Sequence, residues 1–241
     1  MMNIIIDNKQ MKNKELNILS LLHIADPTLP IGGYTHSNGL ETYVQDRIVH
    51  DVSTAKEFVK NMLQYNLKYN DGAFMKMAYE ATENKNLKSL LVLDNECNAI
   101  KCPKEIREAS RKLGLRLIKI FKRKESFPFM DSYEKAVLNK KAKSHYGIVF
   151  GVYANLLKIP LYEAILGFYY TSVAGIITNA VKLVPLGQID GQNILFSLYP
   201  LMEQTALETI ELDKELVGVC NSAFDIRCMQ HERLYSRLYM S

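Results

Sequence analysis

The chain has 241 residues, of which 48% are hydrophobic and 23% are charged. This balance is typical of a folded globular protein and excludes a largely disordered chain. The net charge of +4 is too small by itself to require a polyanionic partner, so we expect no nucleic-acid binding. Four cysteines are too sparse for a disulfide scaffold, which favours reduced thiols in a cytoplasmic protein.

Apolar residues recur with helical spacing along most of the chain. In the segment that begins at Thr54, for example, Ala55, Phe58, Val59 and Met62 fall on one helical face. The same periodicity predicts helices at residues 14–24, 54–69, 71–83, 87–100, 103–121, 133–141, 146–157, 161–183 and 192–210.

Local signals set the ends of some of these helices and the fold class. Thr54 and Glu57 have the spacing of a capping box, which predicts a helix start at Thr54. Pro200 interrupts the last periodic run, so we expect a break near Leu198. No stretch of six residues alternates cleanly with period two. The sequence therefore predicts an all-α protein, a single-domain bundle of about ten helices over residues 1–241, with residues 1–14 flexible.

Residues 164–181 form an uncharged run that approaches the length of a membrane-spanning helix. The run contains several polar and small residues, Glu163 and Lys182 bound it tightly, and the chain has no Trp for an interfacial belt. We therefore expect a buried central helix and no membrane association. The small residues Gly147 and Gly151 predict close helix–helix packing in the same core.

Two irregular segments are candidates for function. Residues 26–41, DPTLPIGGYTHSNGLE, predict a long ordered loop, and long loops of this kind are often functional. Tyr34 and His36 near its tip are candidate anchors for a partner. Residues 179–192, NAVKLVPLGQIDGQ, predict a turn whose polar side chains either satisfy helix ends or contact a partner.

The C-terminal segment, HERLYSRLYMS at residues 231–241, is unusually rich in Arg and Tyr. These residue types are enriched at the energetic centres of protein interfaces. We therefore expect residues 225–241 to form a docking tail, which binds either the body of its own chain or another subunit.

Charge is distributed unevenly along the chain. Residues 101–124 hold ten basic and two acidic residues, a net charge of +8, whereas residues 190–217 hold six acidic residues and one Lys, a net charge of −5. We interpret the basic helix as a solvated face or as a docking face for a charged protein partner.

Signatures of catalysis are missing from the chain. There is no P-loop, no GxGxxG, no GxSxG and no HExxH motif, and the five histidines are too far apart in sequence to form a local metal site. We therefore expect a binding protein, not an enzyme, without metal ligands or a tightly bound cofactor. The alternative is a helical metal-binding protein or enzyme with a site built around His36, Glu41 and His145.

Four segments together resemble the UreF family of urease accessory proteins. They are the loop at residues 26–41, the Arg-Lys-Leu-Gly sequence at residues 111–114 that leads to Arg116, the turn at residues 179–192, and the tail at residues 231–241, where Tyr239 replaces the usual Phe. The similarity extends over residues 16–241, although residues 122–143 carry no matching motif.

The resemblance implies an all-α, non-enzymatic maturation factor for nickel urease that tends to form a homodimer. It implies that the chain bridges an accessory protein of the UreD/UreH type and the GTPase UreG on apo-urease, and so promotes GTP-dependent assembly of the nickel metallocentre. Nickel and GTP are then implied through the partners and not as cofactors of this chain.

The resemblance also implies which residues bind partners. Those of the loop and the basic helix are Gly32, Gly33, Tyr34, His36, Glu41 and Arg116. Those of the tail, expected to meet the UreD-type partner, are His231, Glu232, Arg233, Tyr235 and Arg237. Those expected to face UreG or a second copy are Gln188, Asp190 and Gln192. A further hypothesis gives Arg116, Arg233 or Arg237 the role of an arginine finger for the GTPase.

Overall fold

The computed structural model describes residues 18–241, which contain eleven α-helices and no strand. Residues 18–24 are helical as well. In chain order the helices are α1 (Leu40–Gln45), α2 (Val52–Asn61), α3 (Ala73–Glu83), α4 (Leu87–Ile100), α5 (Lys104–Phe121), α6 (Pro128–Leu138), α7 (Tyr146–Leu156), α8 (Leu161–Leu183), α9 (Gln188–Ser197), α10 (Tyr199–Ile210) and α11 (Ser222–His231). The predicted all-α class is confirmed.

A π-helix at Met62–Gly72 joins α2 to α3, so that one long rod runs through this part of the bundle. Helix α2 begins at Val52, before the predicted start at Thr54. The predicted capping box was wrong, because the Asp51 side chain already accepts a hydrogen bond from the Thr54 N–H at 2.8 Å.

The core forms around α7 and α8, the two most apolar helices. Every residue of α7 from Gly147 to Ala154 is buried. The rings of Phe150 on α7 and Phe168 on α8 meet edge to face with centroids 5.2 Å apart. A Cβ atom on Gly151 would lie 2.2 Å from the main-chain oxygen of Met75, so the close approach of α7 to α3 depends on glycine there.

Helix α8 is long and apolar enough to cross a membrane, which by itself is weak evidence for a membrane span. It packs against α9, α10 and the π-helix, and it buries residues along its whole length. Its bounds match the predicted 161–183, and the predicted break near Leu198 separates α9 from α10.

Two expectations about the chain ends need separate comment. Residues 225–231, which the sequence analysis placed in the tail, belong to α11, because the Asn221 side chain caps that helix through the Phe224 N–H. The tail proper is therefore residues 232–241. The expected flexibility of residues 1–14 concerns a segment outside the described residues.

Candidate functional site

The tail, residues 232–241, folds back onto the loop at residues 26–41. The main-chain oxygen of Ser241 accepts hydrogen bonds from the main-chain N–H of Ser37 and from its hydroxyl, the latter at 2.8 Å. The Met240 N–H donates to the Thr35 carbonyl at 2.9 Å. The sequence allows docking either on the chain's own body or on another subunit, and in this structure the tail docks on its own body.

Glu41, at the start of α1, is the main acceptor for the tail. Its side chain is buried, and its oxygens accept hydrogen bonds from the Leu238 N–H at 2.7 Å and the Tyr239 N–H at 3.2 Å. Its Oε2 atom also lies 3.0 Å from His231 Nε2. A buried carboxylate needs such partners. Without them, the loss of its hydration would cost on the order of several kcal/mol.

His231, the last residue of α11, lies between two carboxylates. Its Nδ1 atom is 2.6 Å from Glu105 Oε2, on the opposite side of the ring from Glu41. The second oxygen of Glu105 accepts a hydrogen bond from Arg237 Nη1 at 2.7 Å. We call Glu41, Glu105, His231 and Arg237 the tail clasp, because together they join α1, α5, α11 and the tail.

The tail presents apolar side chains to solvent while its main chain is held. The Tyr235 side chain is fully exposed, Leu238 is 82% exposed and Met240 is 59% exposed. Tyr34, at the tip of the neighbouring loop, is 68% exposed. Together these four residues define the tail surface, and such large apolar side chains near Arg233 and Arg237 are typical of a protein interface.

Gly32 shapes the loop beneath this surface. Its φ of +86° lies in the left-handed region, and a Cβ atom there would lie 2.0 Å from Arg116 Nη1. Arg116 donates from the same nitrogen to the Ile31 carbonyl at 2.8 Å. Gly33 opens the adjacent 3-10 turn and has open space around it. Glycine at position 32 therefore allows the basic helix α5 to hold the loop.

The polar turn before α9 is the second irregular segment that the sequence singles out. Asp190 accepts a hydrogen bond from the Gly187 N–H at 3.1 Å and so satisfies the helix start. Gln188 and Gln192 are exposed, and between them Ile189 is 73% exposed. This turn is available for contacts with another macromolecule, and its role in binding stays a prediction.

The proposed metal site at His36, Glu41 and His145 is not assembled. His36 Nδ1 lies 2.8 Å from Ser241 Oγ, whereas His145 contacts Ser110 and Asn98, both at 3.2 Å. Within residues 18–241 no group of three or more His, Cys, Asp or Glu side chains could hold a metal ion. The alternative was wrong about these residues, because each already has a structural partner.

Burial sets the protonation of these two histidines. It lowers the pKa of His36 to about 4, with Lys112 and Arg116 acting in the same direction. It lowers the pKa of His145 to about 3, again with help from nearby cations. Both imidazoles are therefore neutral near pH 7 and serve as hydrogen-bonding groups of the fold.

The three arginines considered as finger residues differ in their surroundings. Arg116 is bound to the loop and Arg237 to Glu105. Arg233 is exposed and, among the described residues, forms no ion pair. Glu232 beside it is exposed as well. Arg233 is thus the arginine that is best placed to reach into a partner.

Glu105 is a site residue that the sequence analysis missed. It is one of only two acidic residues within the strongly basic segment 101–124. An isolated carboxylate in such a segment is a weak signal for a specific partner, but the sequence does not show that His231 and Arg237, more than 120 positions later, approach it.

A groove of about 600 Å³ lies beside the tail surface. The loop at residues 26–38, the π-helix, α5 and α8 line it, and Tyr34 and His36 lie on its rim. A buried ion pair between Lys101 Nζ and Asp71 Oδ2, 2.8 Å apart, forms part of its wall. The loop therefore contributes to both the tail surface and this groove.

These features define a helical protein that binds other proteins. Its tail is hydrogen-bonded to the body of the chain, and the apolar side chains of the tail are exposed. The sequence model of the UreF family matches residues 49–199. Three similar relatives are each called "Urease accessory protein UreF". Those of Actinobacillus pleuropneumoniae, Haemophilus influenzae (strain PittGG) and Bacillus sp. (strain TB-90) are 46%, 45% and 33% identical.

The alignments span 92%, 96% and 93% of this chain and 98%, 99% and 99% of those proteins, respectively. The chain belongs to the UreF family, as the resemblance predicted. It is an accessory protein and not an enzyme. The loop at residues 26–41 and the tail lie outside the segment that the family model matches.

Proposed function

We propose that this protein is a urease maturation factor that acts in the cytoplasm as a scaffold. It bridges an accessory protein of the UreD/UreH type and the GTPase UreG on apo-urease, and it promotes GTP-dependent assembly of the nickel metallocentre. It acts as a homodimer, binds no cofactor tightly, and acquires its link to nickel and GTP through its partners.

The tail surface is the observation that carries this proposal. Tyr235, Leu238 and Met240 project into solvent from a main chain that Glu41 and the 26–41 loop hold in place. A segment ordered before binding loses less conformational entropy on association than a free one, so each buried side chain contributes more affinity. We assign the tail surface to the UreD/UreH-type partner.

A non-hydrolysing scaffold can influence a GTPase only through differential affinity. If the scaffold binds one nucleotide state of UreG more tightly, it shifts the population toward that state by the same factor. We assign this contact to the exposed turn at Gln188, Ile189 and Gln192.

The experiment measures binding of the purified UreD/UreH-type protein and UreG to the full chain by calorimetry. Loss of an interface residue of this type costs about 2 kcal/mol or more, or roughly 30-fold in affinity. We expect Tyr235→Ala and Leu238→Ala each to weaken binding of the UreD/UreH-type protein by about this factor.

Leu138→Ala is the matched control, because Leu138 is also a largely exposed leucine, at 72%, but lies at the end of α6 and outside the tail surface. It should bind as the unaltered chain does. Unchanged binding of both tail variants would show that the tail surface is not the interface. If the unaltered chain bound neither partner, the scaffold function itself would be wrong.

A further inference from the structure

His231 has a carboxylate on each side of its ring. Both ring nitrogens lie within hydrogen-bond distance of a carboxylate oxygen, at 2.6 Å from Glu105 and 3.0 Å from Glu41. An ionised carboxylate only accepts hydrogen bonds, so the ring can serve both carboxylates only when each nitrogen carries a hydrogen. A neutral imidazole has one such hydrogen and can serve only one of the two carboxylates.

We propose that the tail clasp depends on a proton, with His231 and Glu105 as positioning residues for the tail. When His231 is an imidazolium, its charge and that of Arg237 balance the two carboxylates, and the tail is held. Loss of the proton removes one hydrogen bond and leaves a net negative charge in a buried cluster. Because this charge is costly to bury, the cluster opens, Glu41 becomes hydrated and the tail detaches.

Within residues 18–241, the titratable groups close to His231 do not replace this proton. On α11, Arg227 lies 3.9 Å from Asp46 at the end of α1, and burial raises the pKa of the Cys228 thiol, which keeps it neutral. On α1, burial raises the pKa of the Tyr43 phenol, so that it also stays neutral. In the adjoining loop, the low pKa of His36 makes it neutral throughout the relevant range.

Glu105 is the charged group that α5 directs at the ring, and Arg237 is the charged group of the tail that meets Glu105. The state of His231 therefore decides whether the cluster is electrically balanced. The consequence for partner binding rests on the proposed function, whereas the clasp itself belongs to the isolated chain.

The test follows two sets of nuclear magnetic resonance signals in the full chain alone, from about pH 5 to about pH 10. The ring nitrogens of His231 report its protonation, and the main-chain amides of Leu238 and Tyr239 report tail attachment. We expect the amide signals to move toward positions typical of an unfolded segment, with the same midpoint as the loss of the ring proton. Amide signals that stay in place while the ring titrates would overturn the proposal.

Variants separate a proton-dependent clasp from a merely structural contact. In Glu105→Gln, the amide NH₂ can donate to Nδ1 of a neutral His231, so the tail should stay attached after the ring loses its proton. In His231→Gln, the pH dependence of the Leu238 and Tyr239 signals should disappear. His50→Gln is the control, because His50 is exposed and its nearest ion partner is Asp51, and it should retain the transition.

The proposal would be overturned if the amide signals of His231→Gln still moved with pH. It would also be overturned if those of Glu105→Gln moved with the same midpoint as in the unaltered chain. No partner protein takes part in these measurements. Failure of the clasp can therefore be distinguished from failure of the scaffold function, which the calorimetric experiment tests separately.

Discussion

Replacement of Glu41 by alanine should detach the tail without unfolding the helical bundle. The change removes the acceptor of two tail N–H groups, Leu238 at 2.7 Å and Tyr239 at 3.2 Å, and one contact of His231. Hydrogen bonds to a charged group contribute roughly 1.5–3 kcal/mol each. The released N–H groups regain hydrogen bonds to water. We therefore expect the free energy of tail attachment to fall by about 3 kcal/mol, which raises the detached population roughly 150-fold.

Limited digestion with trypsin measures this population, since Arg233 and Arg237 are exposed cleavage sites within the tail. A protease needs the segment detached and extended, and the cleavage rate follows the open population when opening and closing are fast. We expect Glu41→Ala to lose its last residues about 100-fold faster than the unaltered chain, as followed by intact mass.

Glu232→Ala is the control for charge, because Glu232 is exposed and accepts no hydrogen bond from the described part of the tail. It should be cleaved at the rate of the unaltered chain. If Glu41→Ala were also cleaved at that rate, the contacts of Ser37 and Thr35 would suffice to hold the tail, and the reasoning about the buried carboxylate would be refuted.

Three further results are expected. Gly151→Ala should destabilise the fold by about 2 kcal/mol in urea denaturation, since its Cβ would meet main-chain atoms of α3, whereas Gly175→Ala, with open space around it, should be neutral or slightly stabilising. Asp94→Ala should lower the free energy of unfolding by about 3 kcal/mol, because the buried carboxylate accepts hydrogen bonds from three successive N–H groups before α7. An unchanged melting temperature would contradict this expectation. The pKa of His36 is lowered from 6.5 to about 4, so the unfolded chain binds this proton more readily than the folded chain. The free energy of unfolding should therefore fall as the pH drops from 6.5 toward 4, and His36→Gln should flatten that part of the stability–pH profile.

The helical bundle was readily predictable because each long helix carries its own apolar periodicity. The predicted 87–100 and 161–183 coincide with α4 and α8, and Pro200 marks the break between α9 and α10 correctly. Helix α6 begins at Pro128, five residues before the predicted start at residue 133, because proline favours the first turn of a helix. Helix α11 was missed, since only three of its ten residues are buried and its apolar pattern is weak.

The candidate site was predictable as segments and not as contacts. The loop and the tail stood out by composition, and the structure joins them through Ser37, Glu41 and Ser241. The sequence analysis treated Glu41 and His231 as surface residues for a partner, yet both are buried. Pairings across 190 positions, such as that of Glu41 with His231, depend on tertiary packing, which local periodicity does not encode.

The π-helix between α2 and α3 has a consequence for how this protein can change in length. Its wider turns alter the angular phase between the two helices, so that the buried faces of α2 and α3 both meet the core although they belong to one uninterrupted rod. Inserting or deleting a single residue between Met62 and Gly72 would rotate one half of the rod against the other. The number of residues in this stretch should therefore stay constant during divergence.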